Sequence, residues 1–247
     1  MKIGFIGCGN MATAMLKGIL KSGEVEASDM IASAKSDKTR EKIEKELGIR
    51  KADTNAQVVD FADVVFLAVK PQFLEGVLDE IRDSVKAGQI FISIAPGKTL
   101  QWLGERLGEN TKVIRTMPNT PAMVGEGMTA LCVNELVTEE EIALAVKLCD
   151  TFGKTEVIPE HLMDAVVGVS GSSPAYVFMF LEAMADAAVA DGMPRAQAYK
   201  FAAQSVLGSA KLMLETGKHP GELKDMVCSP AGTTIQAVRV LEEKGFR

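Results

Sequence analysis

The sequence predicts an α/β fold in two parts, a doubly wound parallel sheet over residues 1–158 followed by an all-α domain over 159–247. Three observations predict it. Apolar runs of strand length alternate with helical patterns as far as Pro159. Beyond Pro159 every pattern is helical. The first strand-to-helix turn carries a spaced set of small residues, GFIGCGNMA at 4–12. Strands that alternate with helices build a parallel sheet, because each helix must carry the chain back to the edge where the previous strand began.

KIGFI (2–6) reads as a buried strand, with a helix from Met11 to Lys21. MIAS (30–33) is a second strand, and a charged helix covers 37–46. VVFLAV (64–69) is apolar throughout, as a central strand covered on both faces must be. Pro71 follows where a helix can begin, since the first turn has no use for the N–H that proline lacks. QIFISIA (89–95), KVIRTM (112–117) and MTALCV (128–133) are further strands. TEEEIALAVKLCDTF (138–152) is amphipathic, with acids in its first turn, where the helix dipole favours them. Thr138 and Glu141 have the spacing of a capping box. Helices are then expected at 174–191, 194–215, 219–227 and 230–244, with Pro194, Pro220 and Pro230 near their starts.

Composition narrows the function. A net charge of −6 without a basic cluster argues against a nucleic-acid partner, although a local site can still hold an anion. The four cysteines, Cys8, Cys132, Cys149 and Cys228, form no Cys-x-x-Cys pair, and there are two histidines. Neither a metal site nor a disulfide framework is expected, and a reduced, cytoplasmic protein fits. Strand-like sequence from Lys2 leaves no room for a signal peptide. Glu182 and Asp186 interrupt the most apolar run, PAYVFMFLEAMADAAVA (174–190), so no membrane span is expected. A helix apolar around most of its surface must be buried, and a second subunit is the economical cover.

Gly7, Gly9 and Ala12 match G-x-G-x-x-A between a strand and a helix. The first glycine permits the tight turn, the second lets a pyrophosphate approach, and the alanine packs helix on strand. This is a Rossmann-type dinucleotide turn, with helix N–H groups facing the phosphates. The second strand ends in Ser33, Lys35 and Ser36, and the first acid is Asp37. Hydroxyls and a cation suit a 2′-phosphate, so NADP(H) is preferred, with NAD(H) as the alternative. The bland reading is that Lys35 is solvated and Asp37 caps a helix. AVKPQ (68–72) and SIAPGK (93–98) lie at carboxyl ends of strands, where ligands bind such sheets, which makes Ala68, Val69, Lys70, Ala95 and Gly97 candidates. Lys70 either touches the cofactor or caps its strand. Asn55 either reaches the adenosine or forms a local Asx-turn.

Chemistry must be sought in the second half. Ser170, Ser172 and Ser173 stand in a small-residue turn, either as site residues or as ordinary turn and cap chemistry. Ser229, Gly232, Thr233 and Thr234 gather at a helix start, where free N–H groups suit a carboxylate and the Thr234 hydroxyl can bond it. There is no Ser-His-Asp set, and hydride transfer to a protonated imine needs little acid–base machinery.

Taken together, IGFIGCGNMA, FLAVKPQ, RTMPNTPAMVGEG, DAVVGVSGSSPAY, GMPRAQA, HPGELKDMV and SPAGTTIQAVRVLEEKGFR make the chain, over almost its whole length, resemble the pyrroline-5-carboxylate reductases. The resemblance implies NADPH-dependent reduction of a cyclic imino acid, Δ1-pyrroline-5-carboxylate, to L-proline, the last step of proline biosynthesis. It implies a homodimer through interlocking C-terminal helices, with dimers assembling into rings, and a pocket shared between subunits. By position it assigns Ile6, Gly7, Cys8, Gly9, Asn10, Met11, Ser33, Lys35, Asn55, Val69, Lys70 and Ala95 to the cofactor. It assigns Ser172, Ser173, Thr233 and Thr234 to the substrate, with Thr234 bonding the imine nitrogen or carboxylate. Three features depart from the family pattern: Met226 where many relatives carry a polar residue, Pro96 for a common alanine, and an end at Arg247 where relatives continue into another helix. A 3-hydroxyacid dehydrogenase of the 6-phosphogluconate type would want a lysine after Ser170, and none occurs until Lys200. A non-catalytic NADP-binding regulator would have no need of the hydroxyl-rich helix start.

Overall fold

Strand β1 (Ile3–Ile6) is buried along its whole length and pairs in parallel with β2 (Met30–Ser33) on one side and β4 (Val64–Leu67) on the other. That centre fits its apolar sequence, because a strand covered by helices on both faces has no polar side. In this computed structural model residues 1–247 are described, the side chain of Lys42 excepted. The other strands are β3 (Arg50–Ala52), β5 (Ile90–Ser93), β6 (Lys112–Met117), β7 (Gly127–Val133) and β8 (Gly153–Val157). Their order across the eight-stranded sheet is β3-β2-β1-β4-β5-β6-β7-β8.

The sheet departs from the parallel expectation at one step. β6 and β7 pair antiparallel, with Thr116 opposite Leu131. Only a short 3-10 turn, Thr120–Val124, joins them, and a parallel return would need a crossover of a dozen residues or more. Two strands lacked a sequence signal. β3 (RKA) and β8 (GKTEV) are the sheet's edges, short and charged, and such edges resist pairing with other chains.

Helices cover both faces. α1 (Asn10–Ser22), α2 (Asp37–Lys45) and α6 (Glu139–Asp150) share one core with Phe5, Phe66 and Ile92. The Phe5 and Phe66 rings stack at 4.5 Å between centroids. α3 (Asn55–Phe61), α4 (Pro71–Ile81) and α5 (Leu100–Leu107) share the opposite core with Ile6, Val65 and Phe91. DTNAQ (53–57), read as a turn, instead runs into α3, which is capped by Thr54, whose hydroxyl accepts from the Gln57 amide. The capping box of α6 forms as expected: Glu141 Oε2 accepts from the Thr138 amide at 3.0 Å, and Thr138 Oγ1 accepts from the Glu141 amide at 3.4 Å.

The strand–helix alternation ends near Pro159, while the compact unit runs on, since the chain divides into Met1–Pro174 and Ala175–Arg247. α7 (Met163–Val166) stays with the sheet: Met163 is buried with Met117, Ala130 and Cys132. The π-turn Val167–Gly171 follows directly.

The second unit holds most of α8 (Ser173–Ala190), then α9 (Arg195–Thr216), α10 (Pro220–Val227) and α11 (Thr233–Glu243). Its buried apolar residues are Ala185, Ala198 and Ala202. Phe178 is 65% exposed, Phe201 68% and Leu214 83%. The burial expected of 174–190 is therefore not supplied within the chain. By length and composition alone the helical stretch Glu160–Ala190 could cross a membrane. Glu182 and Asp186 interrupt it, and Asp186 is ion-paired with Arg195.

Candidate active site

Gly7 follows β1 with φ +94°, a region that L side chains avoid. A Cβ there would lie 2.8 Å from the Ala68 carbonyl oxygen and 2.9 Å from Val69 Cγ1. The turn can therefore close on the end of β4 only with glycine. Gly9 is the N-cap of α1, extended in φ and ψ and without a side-chain cap. Nothing lies within 4 Å of the position its Cβ would take. The first N–H groups of α1 thus face an open concavity, the form an anion site takes. Ala12 is buried, as close packing of helix on strand requires.

The structure brings Gly7, Ser33, Lys35, Asn55 and Val69 to one cavity of about 390 Å³. Ser33 Oγ donates to Asn55 Oδ1 at 2.6 Å, and Asn55 Nδ2 donates to Glu80 Oε2 at 2.7 Å. Asn55 is therefore no Asx-turn residue but the first residue of α3, joining β2 to α4. Lys35 is exposed, its ammonium 5.6 Å from the Phe73 ring centre. Ser36, rather than Asp37, accepts from the Thr39 amide at the start of α2. Cys8, Gly9 and Asn10 line an adjacent concavity with Lys38 and Thr39.

The other candidates sit around this edge. Ile6 and Ala95 are buried, so they can offer a ligand only main chain. Ala68 extends the pairing of β4, its amide donating to the Ile6 carbonyl. Lys70 is exposed and is the N-cap of α4, with Pro71 next. Met11 is half-buried on α1. Gly97 has φ +73° after Pro96, as the third residue of a type II turn requires.

Arg40 escaped the sequence reading. Its Nε donates to the Ala34 carbonyl at 2.8 Å and its Nη2 to the Lys35 carbonyl at 3.2 Å. It pins the loop after β2 and adds a guanidinium to the cavity that holds Ser33 and Lys35. An arginine one turn into the helix after that loop was the available signal.

Ser172 closes the π-turn, its amide donating to the Val167 carbonyl at 2.8 Å, and Ser173 begins α8. The 229–234 stretch belongs to the other unit. Its helix begins at Thr233, later than expected, with Gly232 as N-cap and no side-chain cap. Ala231 adopts φ +60°, uncommon for a residue with a Cβ. The Gly232 amide donates to the Ser229 carbonyl at 3.0 Å, and a Cβ on Gly232 would fall 2.4 Å from Ser229 Oγ. Thr233 and Thr234 then occupy the first two helical positions.

Cys132, Cys149 and Cys228 are free thiols. Burial pushes the Cys132 thiol up to about 11, the Glu160 carboxylate adding to the rise and the Arg115 guanidinium opposing it. Burial, with Asp150 adding, pushes Cys149 up to about 12. Both groups stay protonated at neutral pH, and the thiolate is the nucleophile. Iodoacetamide on the native protein at neutral pH is expected to leave both unlabelled in a peptide mass map, with labelling after unfolding. Labelling of either at the rate of a free thiol would refute this.

Residues 160–247 match a family described as pyrroline-5-carboxylate reductase dimerisation, and residues 2–97 match one described as NADP oxidoreductase, coenzyme F420-dependent. The pyrroline-5-carboxylate reductase of Escherichia coli K12 is 56% identical over 246 residues, covering 100% of this chain and 91% of its own length. A solved pyrroline-5-carboxylate reductase from Coxiella burnetii superposes with a TM-score of 0.93 at 34% identity, covering 100% of this chain and 92% of that one. The Plasmodium falciparum pyrroline carboxylate reductase, solved with NADP bound, superposes with a TM-score of 0.88 at 29% identity, covering 100% and 91%.

Proposed function

Because the chain belongs to the pyrroline-5-carboxylate reductase family, we propose that it reduces Δ1-pyrroline-5-carboxylate to L-proline with NADPH as the preferred donor and NADH as the alternative. The observation that carries this reading is the glycine turn, tight at Gly7 and open at Gly9, in a chain 56% identical to such a reductase over 246 residues.

The residues present fit a dinucleotide. The empty Cβ position at Gly9 and the uncapped start of α1 leave room and donors for a pyrophosphate. When bound, NADPH supplies the hydride. Ile6, Gly7, Cys8, Gly9, Asn10 and Met11 would hold the phosphates through main-chain N–H groups and the turn's shape. Ser33 and Lys35, with Arg40 fixing their loop, would receive the 2′-phosphate, and Asn55 the adenosine ribose. Ala68, Val69, Lys70, Ala95 and Gly97 would flank the nicotinamide end.

The substrate carries a carboxylate and a cyclic imine. Ser229, Gly232, Thr233 and the first N–H groups of α11 would bind the carboxylate, a charge that suits a helix N-terminus. Ser172 and Ser173 are the other residues proposed for the substrate. The Thr234 hydroxyl would bond the imine nitrogen or carboxylate and hold a proton at that nitrogen. The reading takes the substrate-holding division at 158/159, beside the dimerisation match, and a cytoplasmic enzyme, in keeping with free thiols at Cys132, Cys149 and Cys228. The exposed apolar residues of α8 and α9 would pair with a second copy, and light scattering distinguishes a dimer from a ring of dimers.

The test is loss of reduced-nicotinamide absorbance with and without pyrroline-5-carboxylate, NADH run beside NADPH. Turnover only with the imino acid supports the reading, and tight NADPH binding without turnover would reject it. Lys35→Ala is expected to raise the KM for NADPH by about tenfold or more, leaving NADH little changed, since a charge-assisted hydrogen bond contributes roughly 1.5–3 kcal/mol. Equal effects on both cofactors would remove Lys35 from the 2′-phosphate.

A further inference from the structure

We propose that Asn119 is a positioning residue that sets the substrate end of the site by holding the π-turn Val167–Gly171. The proposal rests on the reading of Ser172 and Ser173 as substrate contacts. Asn119 lies in the RTMPNTPAMVGEG stretch between β6 and β7. Its carboxamide is committed at both ends. Oδ1 accepts from the Met128 amide, in β7, at 2.8 Å. Nδ2 donates to the Ser170 carbonyl at 3.2 Å and to Ser170 Oγ at 3.1 Å. One side chain therefore ties the sheet to a turn 51 positions away in the chain.

The Ser170 carbonyl has a particular need of that donor. In an α-helix it would accept from the amide four residues on, and that residue is Pro174, which has no N–H. Asn119 supplies a hydrogen there. The π-turn is itself an irregular helix, a form frequent at functional sites. Ser172 and Ser173 are the next residues but one and two after Ser170, so any relaxation of the turn passes straight to them. The far end of the same segment is anchored independently. Glu160 Oε1 accepts from Arg115 Nη1 at 2.9 Å and from the Leu100 amide at 2.8 Å. Arg115 is 5% exposed and Glu160 half-buried, so this end is fixed by a pair whose arginine is desolvated. Asn119 is the anchor at the serine end.

Asn119→Ala removes all three hydrogen bonds. Asn119→Asp keeps the shape and the acceptor for Met128 but, ionised, cannot donate to Ser170. Both are expected to raise the KM for the imino acid by about tenfold or more, while the NADPH Kd from fluorescence titration stays within about twofold. A role confined to closing the β6–β7 loop predicts that Asn119→Asp behaves as wild type, and that result would overturn the proposal. So would equal losses in NADPH and imino-acid affinity, which would mark general damage. A Ser172→Ala/Ser173→Ala double variant run in parallel separates the two readings. If it raises the imino-acid KM and the Asn119 variants do not, the positioning role fails. If it has no effect and the Asn119 variants do raise KM, the serines lose their assignment and Asn119 keeps its own, acting on the turn's main chain.

Discussion

Gly7→Ala is expected to weaken NADPH binding by at least about tenfold and to lower Tm together with it. The turn holds φ at +94°, and a methyl group would meet the Ala68 carbonyl oxygen at 2.8 Å and Val69 Cγ1 at 2.9 Å. A backbone conformation of this kind costs an L-residue about 1–2 kcal/mol, and overpacking against a fixed backbone adds about 1–3. For a chain of this size each kcal/mol moves Tm by about 2–4 °C. The turn can escape the clash only by moving off the end of β4, which also moves the Ala68–Val69 wall of the site. Gly9→Ala is the informative contrast. Its Cβ would meet nothing within 4 Å, so Tm should hold while the methyl group occupies the space a pyrophosphate needs. Thermal melts and NADPH titrations on the two variants check both halves. Undiminished NADPH affinity in Gly9→Ala would show that the phosphates lie elsewhere.

Thr234→Ala is expected to lower kcat/KM for the imino acid by at least about tenfold, near 1.4 kcal/mol of transition-state stabilisation, without changing the NADPH Kd. The reason lies in how α11 begins. Gly232 leaves the first turn without a side-chain cap, and Ala231 carries the backbone strain that shapes the approach. Non-glycine residues at positive φ cost of order 1–3 kcal/mol and cluster where a ligand must be held. Thr234, second in the helix, is placed to add a hydroxyl to those open N–H groups. Thr234→Ser keeps the hydroxyl and should keep most of the rate. Wild-type kcat/KM in Thr234→Ala would end its catalytic assignment.

What the sequence showed and what it hid divide on physical lines. β1, β4 and β5 were legible because strands buried on both faces must be apolar throughout. β3 and β8 were not, since an edge strand such as GKTEV carries its charges openly and loses the apolar signal. Strand direction at β6–β7 is written in the length of the connection rather than in the strands, and the short Thr120–Val124 turn was the clue. In the candidate site, the residues proposed to meet a ligand stood out by type and spacing, and Gly7, Ser33, Lys35 and Asn55 line one cavity. The residues that act on other residues stayed hidden. Arg40 bonds main-chain carbonyls, Glu80 bonds Asn55, and Asn119 bonds a turn far away in sequence, contacts that exist only once the chain has folded. The late start of α11 was hidden too, because nothing about an alanine announces positive φ at residue 231.

The helical unit buries three alanines and leaves Phe178, Phe201 and Leu214 largely open. With these faces pairing as proposed, cohesion of that unit is a second-order quantity, set by how much protein surrounds each chain. Every tenfold dilution then withdraws about 1.4 kcal/mol from it, by mass action alone. The sheet unit, with a core on each face, carries no such dependence. Scarcity of the protein would therefore loosen the helices proposed to hold the substrate before it touched the fold proposed to hold the cofactor.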